Sequence, residues 1–412
     1  MNSKQQLQTD GLRNLARDRR VILGWATGCG KSKMVIDLIN HNTDPLVRGR
    51  LISKALFVVG ETAHINNWKA EFEKWKLRNN VKVDICCYNS IGKYSRNSYD
   101  VIVLDEAHHA FTEKKVPFLR ELVSFMYTDS YVYLLSATLP ATRKAMAEEI
   151  FGKFTTATVT LKEAIEKEIL PEPVVYAIAM DLDNTKSRQE IQIGKDPKAP
   201  VISWEKRAKY IYKNTPCIIQ CTEQQKYSYL TSNMDYWKQR YEVSRSEYQR
   251  NKWVNLGSQR KRFLGELKTG AVRKLIGRLP RRNRLVCFCA SVAQAESLSA
   301  ENTISSKRPQ SLNEAIIDCF NRGQLNQLYA VGMITEGINL SGIHTGIIVQ
   351  LDGKERLFIQ KFGRTLRADN PVAFIFYYRN TQDEVYLKGA LEMIDSKYVR
   401  HISINELDSI EI

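Results

Sequence analysis

The sequence predicts an α/β fold: parallel sheets flanked by helices, with a site at their carboxyl edges. Three observations predict it. Short apolar runs of strand length, such as Lys54–Val59, Val101–Leu104 and Tyr131–Leu135, alternate with stretches of helical period. Glycine-rich or acidic loops follow these runs, where open parallel sheets place their ligands. The chain of 412 residues, 43% apolar, exceeds one ordinary core and predicts two or three domains.

Taken in order, Arg20–Gly24 reads as a strand, and Trp25-Ala26-Thr27-Gly28-Cys29-Gly30-Lys31-Ser32 follows it, ahead of the amphipathic run Met34–Ile39. Gly28 and Gly30 let the backbone turn its N–H groups onto phosphate oxygens, and the helix N-terminus adds its positive dipole end. Lys31 then reaches the β and γ phosphates and Ser32 ligates Mg²⁺, so the loop from Thr27 to Ser32 predicts ATP binding. Trp25 stands where such loops usually carry Gly or Ala. Cys29, among N–H groups beside a lysine, is expected to have a lowered thiol pKa.

A second strand, Lys54–Val59, precedes Thr62 and a helix in which Trp68, Phe72 and Trp75 recur at i, i+4 and i+7, a core-facing stripe. A third, Val81–Cys86, leads into the turn Tyr88-Asn89-Ser90. The strand Val101–Leu104 ends in Asp105-Glu106-Ala107-His108, two adjacent carboxylates that are costly at a buried strand end unless they serve a metal and a water. Asp105 is assigned to Mg²⁺ and Glu106 to the attacking water. Tyr131–Leu135 is a further strand, ending in Ser136-Ala137-Thr138. Two prolines in Pro171-Glu172-Pro173 mark a domain boundary, giving residues 1–172 and 173–412.

Residues 181–215 are polar and read as a hairpin or loop excursion. Residues 221–282 hold 15 Lys or Arg against 5 Asp or Glu, together with eight aromatic residues. Lys238, Tyr241, Arg245, Tyr248 and Lys252 step by three and four, which predicts basic and aromatic side chains on one helical face. That composition suits a surface that tracks a nucleic-acid backbone and stacks on its bases. The alternative is that the aromatics pack on a neighbouring helix while the charges solvate it. Leu264, Leu267, Ala271 and Leu275 form one core stripe on the next helix. Leu285–Cys289 and Leu328–Ile334 are strands, and Gln360, Arg364 and Arg367, at i, i+4 and i+7, place an amide and two guanidiniums on one face.

TGCGKS, DEAH and SAT, in that order, resemble motifs I, II and III of the superfamily 2 helicases and translocases. Ser291 with its following helix is similar to motif IV, Thr335-Glu336-Gly337-Ile338-Asn339 to motif V and Gln360–Arg367 to motif VI. The resemblance implies two RecA-like parallel-sheet domains in tandem, with a basic, mostly helical insertion between motifs III and IV. It implies ATP and Mg²⁺ as cofactors and ATP hydrolysis between the two lobes. On it, Lys31, Asp105, Glu106, Gln360, Arg364 and Arg367 are catalytic, and Gly337 and Asn339 join the loop from Thr27 to Ser32 around the nucleotide. Thr62 and Ser90 contact nucleic acid, and His108, Ser136 and Thr138 couple hydrolysis to movement. Gln8 stands in the role of the family's adenine-reading glutamine. QKFGRTLR with EGIN is more similar to DNA-acting members, among them phage recombination helicases and Swi/Snf-type translocases, than to DEAD-type or DEAH-type RNA helicases. The resemblance therefore implies a DNA helicase or double-strand translocase, with an RNA helicase and a catalytically dead nucleic-acid scaffold as alternatives.

The formal charge of +16 agrees with a polyanionic partner and with nucleic acid in particular, whereas no apolar run is long enough to span a bilayer. Protein partners supplying specificity fit the same reading. The eight cysteines lack zinc spacing and are read as reduced thiols, so a soluble cytoplasmic protein of a bacterium or phage-infected cell is expected.

Overall fold

The computed structural model describes residues 2–44, 51–196, 198–213, 215–332, 340, 342–353, 361–363 and 368–410. The first domain is a parallel sheet of β1 (Arg20–Trp25), β2 (Lys54–Val59), β3 (Lys82–Cys87), β4 (Val101–Asp105), β5 (Tyr131–Leu135) and β6 (Thr155–Val159). Its strand order is β3-β2-β4-β5-β1-β6, every pair parallel. The strands read as continuous apolar runs because both faces are covered: β2, β4 and β5 each bury four or five residues in succession. The covering helices are α1 (Ser3–Leu15), α2 (Lys31–Asn42), α3 (Thr62–Lys74), α4 (Val116–Phe125), α5 (Ala141–Phe151) and α6 (Leu161–Glu166).

Two of these helices explain residues that looked anomalous in the sequence. Trp25 is buried, and its indole packs beneath Gly11 of α1, where a Cβ would meet ring carbons at 3.3 Å. The unusual first residue of the phosphate loop is therefore a core residue. Short α6 opens with a capping box in which Thr160 and Glu163 exchange hydrogen bonds. Beyond it Leu170 is buried and packs under Gly28.

The second sheet begins with β7 (Val174–Met180), directly after Pro171 and Pro173. Before the chain returns to it, residues 181–221 build a small three-stranded sheet of their own, where the sequence reads as a hairpin or loop excursion. Its strands are β8 (Gln189–Ile193), β9 (Val201–Ser203) and, after α7 (Arg207–Tyr212), β10 (Cys217–Cys221), in the order β8-β10-β9. Ile191, Ile202, Cys217, Ile219 and Cys221 fill its core. The polar alternation on both sides of these few apolar residues hid it, since one face of so small a sheet stays wet.

Then come α8 (Glu223–Ser244), α9 (Glu247–Leu267) and α10 (Thr269–Arg278). They are followed by β11 (Leu285–Phe288), α11 (Val292–Ser299), β12 (Thr303–Ser305), α12 (Gln310–Asn321), β13 (Gln327–Val331), β14 (Thr345–Ile348), β15 (Val372–Tyr378), α13 (Gln382–Leu391) and β16 (Val399–Ser403). The second sheet has the order β12-β13-β11-β14-β15-β7-β16, again wholly parallel. The strand expected over Leu328–Ile334 ends at Val331 among the described residues. No described helix is long and apolar enough to cross a membrane.

Candidate nucleotide and nucleic-acid site

The strand order assembles the candidate ATP site. The phosphate loop leaves the carboxyl end of β1, Asp105 ends β4, and β5 lies between them, running into Ser136. Leu135 pairs with Leu23 on one side and with Asp105 on the other, and the Ser136 N–H donates to the Leu23 carbonyl at 3.2 Å. Three loops distant in sequence therefore share one edge, as the sequence predicts. Ser136 is buried and its hydroxyl donates to the Thr138 carbonyl at 2.8 Å, so these two residues form a tight turn beside the site.

Within the loop, Gly28 and Gly30 have φ of +96° and +93°, conformations that a side chain would strain. A Cβ on Gly30 would also lie 2.3 Å from Nε2 of Gln8, which is buried against the loop. Gln8 borders a cleft of about 660 Å³ with Thr9, Lys33, Asn40 and Arg78. The Lys31 ammonium donates to the Trp25 carbonyl at 2.8 Å, and Ser32 follows in the first turn of α2. Cys29 corrects an expectation: it has no solvent exposure, and burial pushes its thiol up to about 11, against the opposing pull of Lys31 and Lys4. The helix terminus and the lysine lose to desolvation.

Asp105 is held from two sides. Its Oδ2 accepts from the Trp68 indole at 2.9 Å, its Oδ1 accepts from the Glu106 backbone N–H at 3.0 Å, and Tyr88 donates to its carbonyl at 2.8 Å. Trp68 is core-facing as predicted, packed on Phe57 and Phe72, but its N–H has this second role. A buried tryptophan needs an acceptor for that N–H, which is the signal that points to it. Glu106 adopts φ +47°, a strained left-handed conformation for a residue with a side chain. Nδ1 of buried His108 lies 3.4 Å from the Glu106 carboxylate, and its ring packs on His109 at 4.1 Å.

Ser32 and Asp105 fit a magnesium ion of the kind held mainly by substrate phosphates and water. Among the described residues Asp105 Oδ2 accepts from Trp68 and Oδ1 from the Glu106 N–H, and a carboxylate oxygen with one such bond retains lone-pair capacity. Among the described residues no cluster of three or more His, Cys, Asp or Glu forms a protein-only metal cage.

The second domain reaches this site directly. A Cβ on Gly363 would lie 2.8 Å from Cβ of Thr27, and a Cβ on Gly28 would lie 4.0 Å from the Gly363 carbonyl oxygen. The short segment Lys361–Gly363 is thus seated on the phosphate loop. Gly337, Asn339, Gln360, Arg364 and Arg367 lie outside the described residues.

Thr62 is exposed in the first turn of α3, and Ser90 is half-buried in the 3-10 turn Tyr88–Lys93. They follow the neighbouring strands β2 and β3 on the same carboxyl edge. The basic stripe departs from its prediction. α8 ends at Arg245, whose φ is +54°, so Lys238 and Tyr241 lie on one helix while Tyr248 and Lys252 lie on the next. The two helices form a hairpin. Across it Tyr241 stacks on Trp253 with centroids 5.9 Å apart, and Trp237 meets Tyr248 edge-on at 5.9 Å. Arg245 and Lys252 sit over Tyr241 and Tyr248, each at 5.6 Å, and Lys238 lies 3.9 Å from Glu242. The periodicity is continuous through the turn, which is why it reads as one helix. Arg240 over Tyr236 adds a pair that the stripe omitted.

Residues 267–369 match the model of the helicase conserved C-terminal domain. Residues 267–369 therefore carry a helicase C-terminal domain, and the two tandem parallel sheets have the RecA-like fold seen in helicase structures. Its structure is similar to that of S. cerevisiae Dbp5 bound to RNA and ADP BeF3, at 12% identity and a TM-score of 0.61 over 98% of this chain and 91% of that one. It is also similar to the Pyrococcus furiosus Hef helicase domain, at 14% identity and a TM-score of 0.51 over 94% and 97% of the two chains. No curated protein matches the sequence. The likeness in fold thus extends over both sheets of the described residues.

Proposed function

We propose that this protein is a helicase or double-strand translocase that hydrolyses ATP between residues 1–172 and 173–412 to move on nucleic acid, with DNA preferred over RNA. The observation that carries the reading is the seating of Gly363 on Thr27, which brings the motif VI segment onto a phosphate loop that shares its edge with Asp105 and Glu106. Thr27 to Ser32 bind the phosphates and Lys31 neutralises them. Ser32 and Asp105 would hold Mg²⁺, which would supply charge neutralisation for the transferring phosphoryl group. Glu106 orients the attacking water and takes its proton, with His108 beside it linking that carboxylate to the rest of the domain. Gln360, Arg364 and Arg367, carried from Gly363's neighbourhood in sequence, stabilise charge on the transferring group, while Gly337 and Asn339 face the nucleotide.

Thr62 and Ser90 contact one strand, and the hairpin bearing Lys238, Arg245 and Lys252 supplies phosphate contacts beyond it. The preference for DNA rests on the spelling of QKFGRTLR and EGIN. RNA is the second reading, favoured by the likeness to Dbp5, whose structure holds RNA. Protein partners then set specificity.

The test measures ATP turnover by wild type and Glu106→Gln with single-stranded, duplex and branched DNA and with RNA. Duplex or branched DNA should stimulate wild type most, and Glu106→Gln should bind ATP yet fail to turn it over. Wild-type turnover by Glu106→Gln would remove the site assignment, and stimulation by RNA alone would transfer the reading to RNA.

A further inference from the structure

The root of the α8–α9 hairpin is joined by a carboxylate bridge to the short segment that packs on the phosphate loop. Lys261, in the last turns of α9, donates to Oδ1 of Asp352 at 2.9 Å. The other oxygen of that carboxylate lies 3.4 Å from the ammonium of Lys361. Lys361 belongs to the same short segment as Gly363, which packs on Thr27 of the phosphate loop. One carboxylate therefore bridges a cation on the hairpin and a cation two residues from the phosphate loop's neighbour. Burial opposes ionisation of Asp352, but the charges of Lys361 and Lys261 and their hydrogen bonds outweigh it and hold its carboxyl below the usual range.

The rest of the root is rigid, so a displacement of the hairpin is passed on rather than absorbed. Buried Arg260 donates to Gln382 at the start of α13, and Tyr227 of α8 accepts from the Gln382 backbone N–H at 2.8 Å. Lys268, at the junction of α9 and α10, is wholly buried against Asp383 at 2.6 Å and the Val349 carbonyl at 2.8 Å. Gly265 packs so closely on Ala290 that a Cβ would lie 2.1 Å from the alanine methyl. Against these fixed contacts, the Lys261–Asp352–Lys361 bridge is the partly exposed link aimed at the cleft.

We propose that Lys261 is a positioning residue that couples occupancy of the hairpin to ATP turnover, acting through the Asp352 carboxylate that it shares with Lys361. The inference rests on the reading that the hairpin contacts nucleic acid. By linkage, whatever the hairpin does to the nucleotide site the nucleotide must do to nucleic-acid affinity.

The experiment uses the full chain, with a mixed-sequence duplex DNA and, separately, a single-stranded RNA as probes. ATP turnover is measured with and without each probe for wild type, Lys261→Gln, Lys261→Arg and Asp352→Asn, and probe affinity is measured with and without a non-hydrolysable ATP analogue. Lys261→Gln and Asp352→Asn should reduce stimulation about fivefold or more, at unchanged basal turnover and unchanged probe affinity in the absence of nucleotide. The analogue-induced change in probe affinity should shrink as well, and Lys261→Arg should retain both responses. Wild-type stimulation in Lys261→Gln overturns the coupling alone. Loss of probe affinity as large as the loss of stimulation overturns it too, since Lys261 would then be a direct phosphate contact, as does a parallel fall in basal turnover. A wild-type enzyme that neither probe stimulates removes the function reading and the coupling together.

Discussion

Asp105 and Cys29 show how single side chains at one site are governed by neighbours that their own motifs do not name. The aspartate is fixed by the Trp68 indole, 37 residues upstream, and by the backbone of Glu106. Its motif identifies the carboxylate, but the donor that orients it is visible only as a tryptophan on an apolar stripe. Trp68→Phe keeps most of the packing against Phe57 and Phe72 and removes the donor. Groups that orient a metal-binding carboxylate typically matter about tenfold or more, so this change should raise the Mg²⁺ concentration for half-maximal ATP turnover by about that factor. Titrating turnover against Mg²⁺ checks it, with thermal melting as the control for packing. An unshifted Mg²⁺ curve would leave Trp68 as core alone. Cys29 was misread because a helix N-terminus and a lysine both favour the thiolate, whereas full burial, which the sequence does not display, reverses the sign. Native enzyme treated with a maleimide near neutral pH should therefore keep its ATP turnover. Peptide mapping should place any label on half-buried Cys87 or Cys319 rather than on Cys29.

At the scale of elements, the parts that alternate simply were legible and the parts that fold back on themselves were not. Lys54–Val59 and Tyr131–Leu135 appear as strands over the expected residues, since an apolar run buried on both faces has no other economical fate in a parallel sheet. The hairpin turn at Arg245 carries no proline or glycine, so the three-and-four spacing passes through it unbroken. The aromatics that suggested base stacking are in part engaged with each other across the two helices. A second helix break separates Leu264 and Leu267 from Ala271 and Leu275, and the residue at that break is Lys268. A lysine beside an apolar stripe reads as a solvated charge. Here it is wholly buried, and burial pushes its ammonium below the ordinary range while Asp383 pulls it back. Its partner lies in a helix far along the chain, and no local pattern joins them. Removing one member of a buried pair leaves the other uncompensated, at a cost of about 3 to 5 kcal/mol. Lys268→Ala should therefore lower the urea midpoint steeply, and the double variant Lys268→Met with Asp383→Leu should recover much of that loss. Equal stability of Lys268→Ala and wild type would show that Asp383 is satisfied by Gln350 and the Tyr378 N–H without the lysine.

For the whole molecule the decisive relation is the one between the two sheets, and only its ingredients stand in the sequence. The motif order implies two lobes and a cleft, but nothing in a one-dimensional pattern states how closely the lobes approach. The structure answers with Gly363, whose missing side chain lets its backbone rest on Thr27, with Leu170 closing the loop from below. Gly363 carries no strained dihedral among the described glycines with positive φ, so its role is space rather than conformation. Adding one methyl group there tests lobe closure without altering any charged or hydrogen-bonding group. In Gly363→Ala the new Cβ would sit 2.8 Å from Cβ of Thr27, a contact between a backbone-bound carbon and a branched side chain with little room to yield. Each lobe should fold as before, because the clash arises only between them. The closed arrangement should be disfavoured by about 1 to 3 kcal/mol, the usual cost of overpacking a close contact, which corresponds to a fall of roughly five- to 150-fold in turnover if hydrolysis requires closure. ATP affinity should fall much less, since the phosphate loop belongs to the first domain. The check compares kcat and nucleotide Kd for Gly363→Ala and wild type, with melting curves to confirm folding. A variant that hydrolyses ATP at the wild-type rate would mean that turnover does not pass through the contact between Gly363 and Thr27.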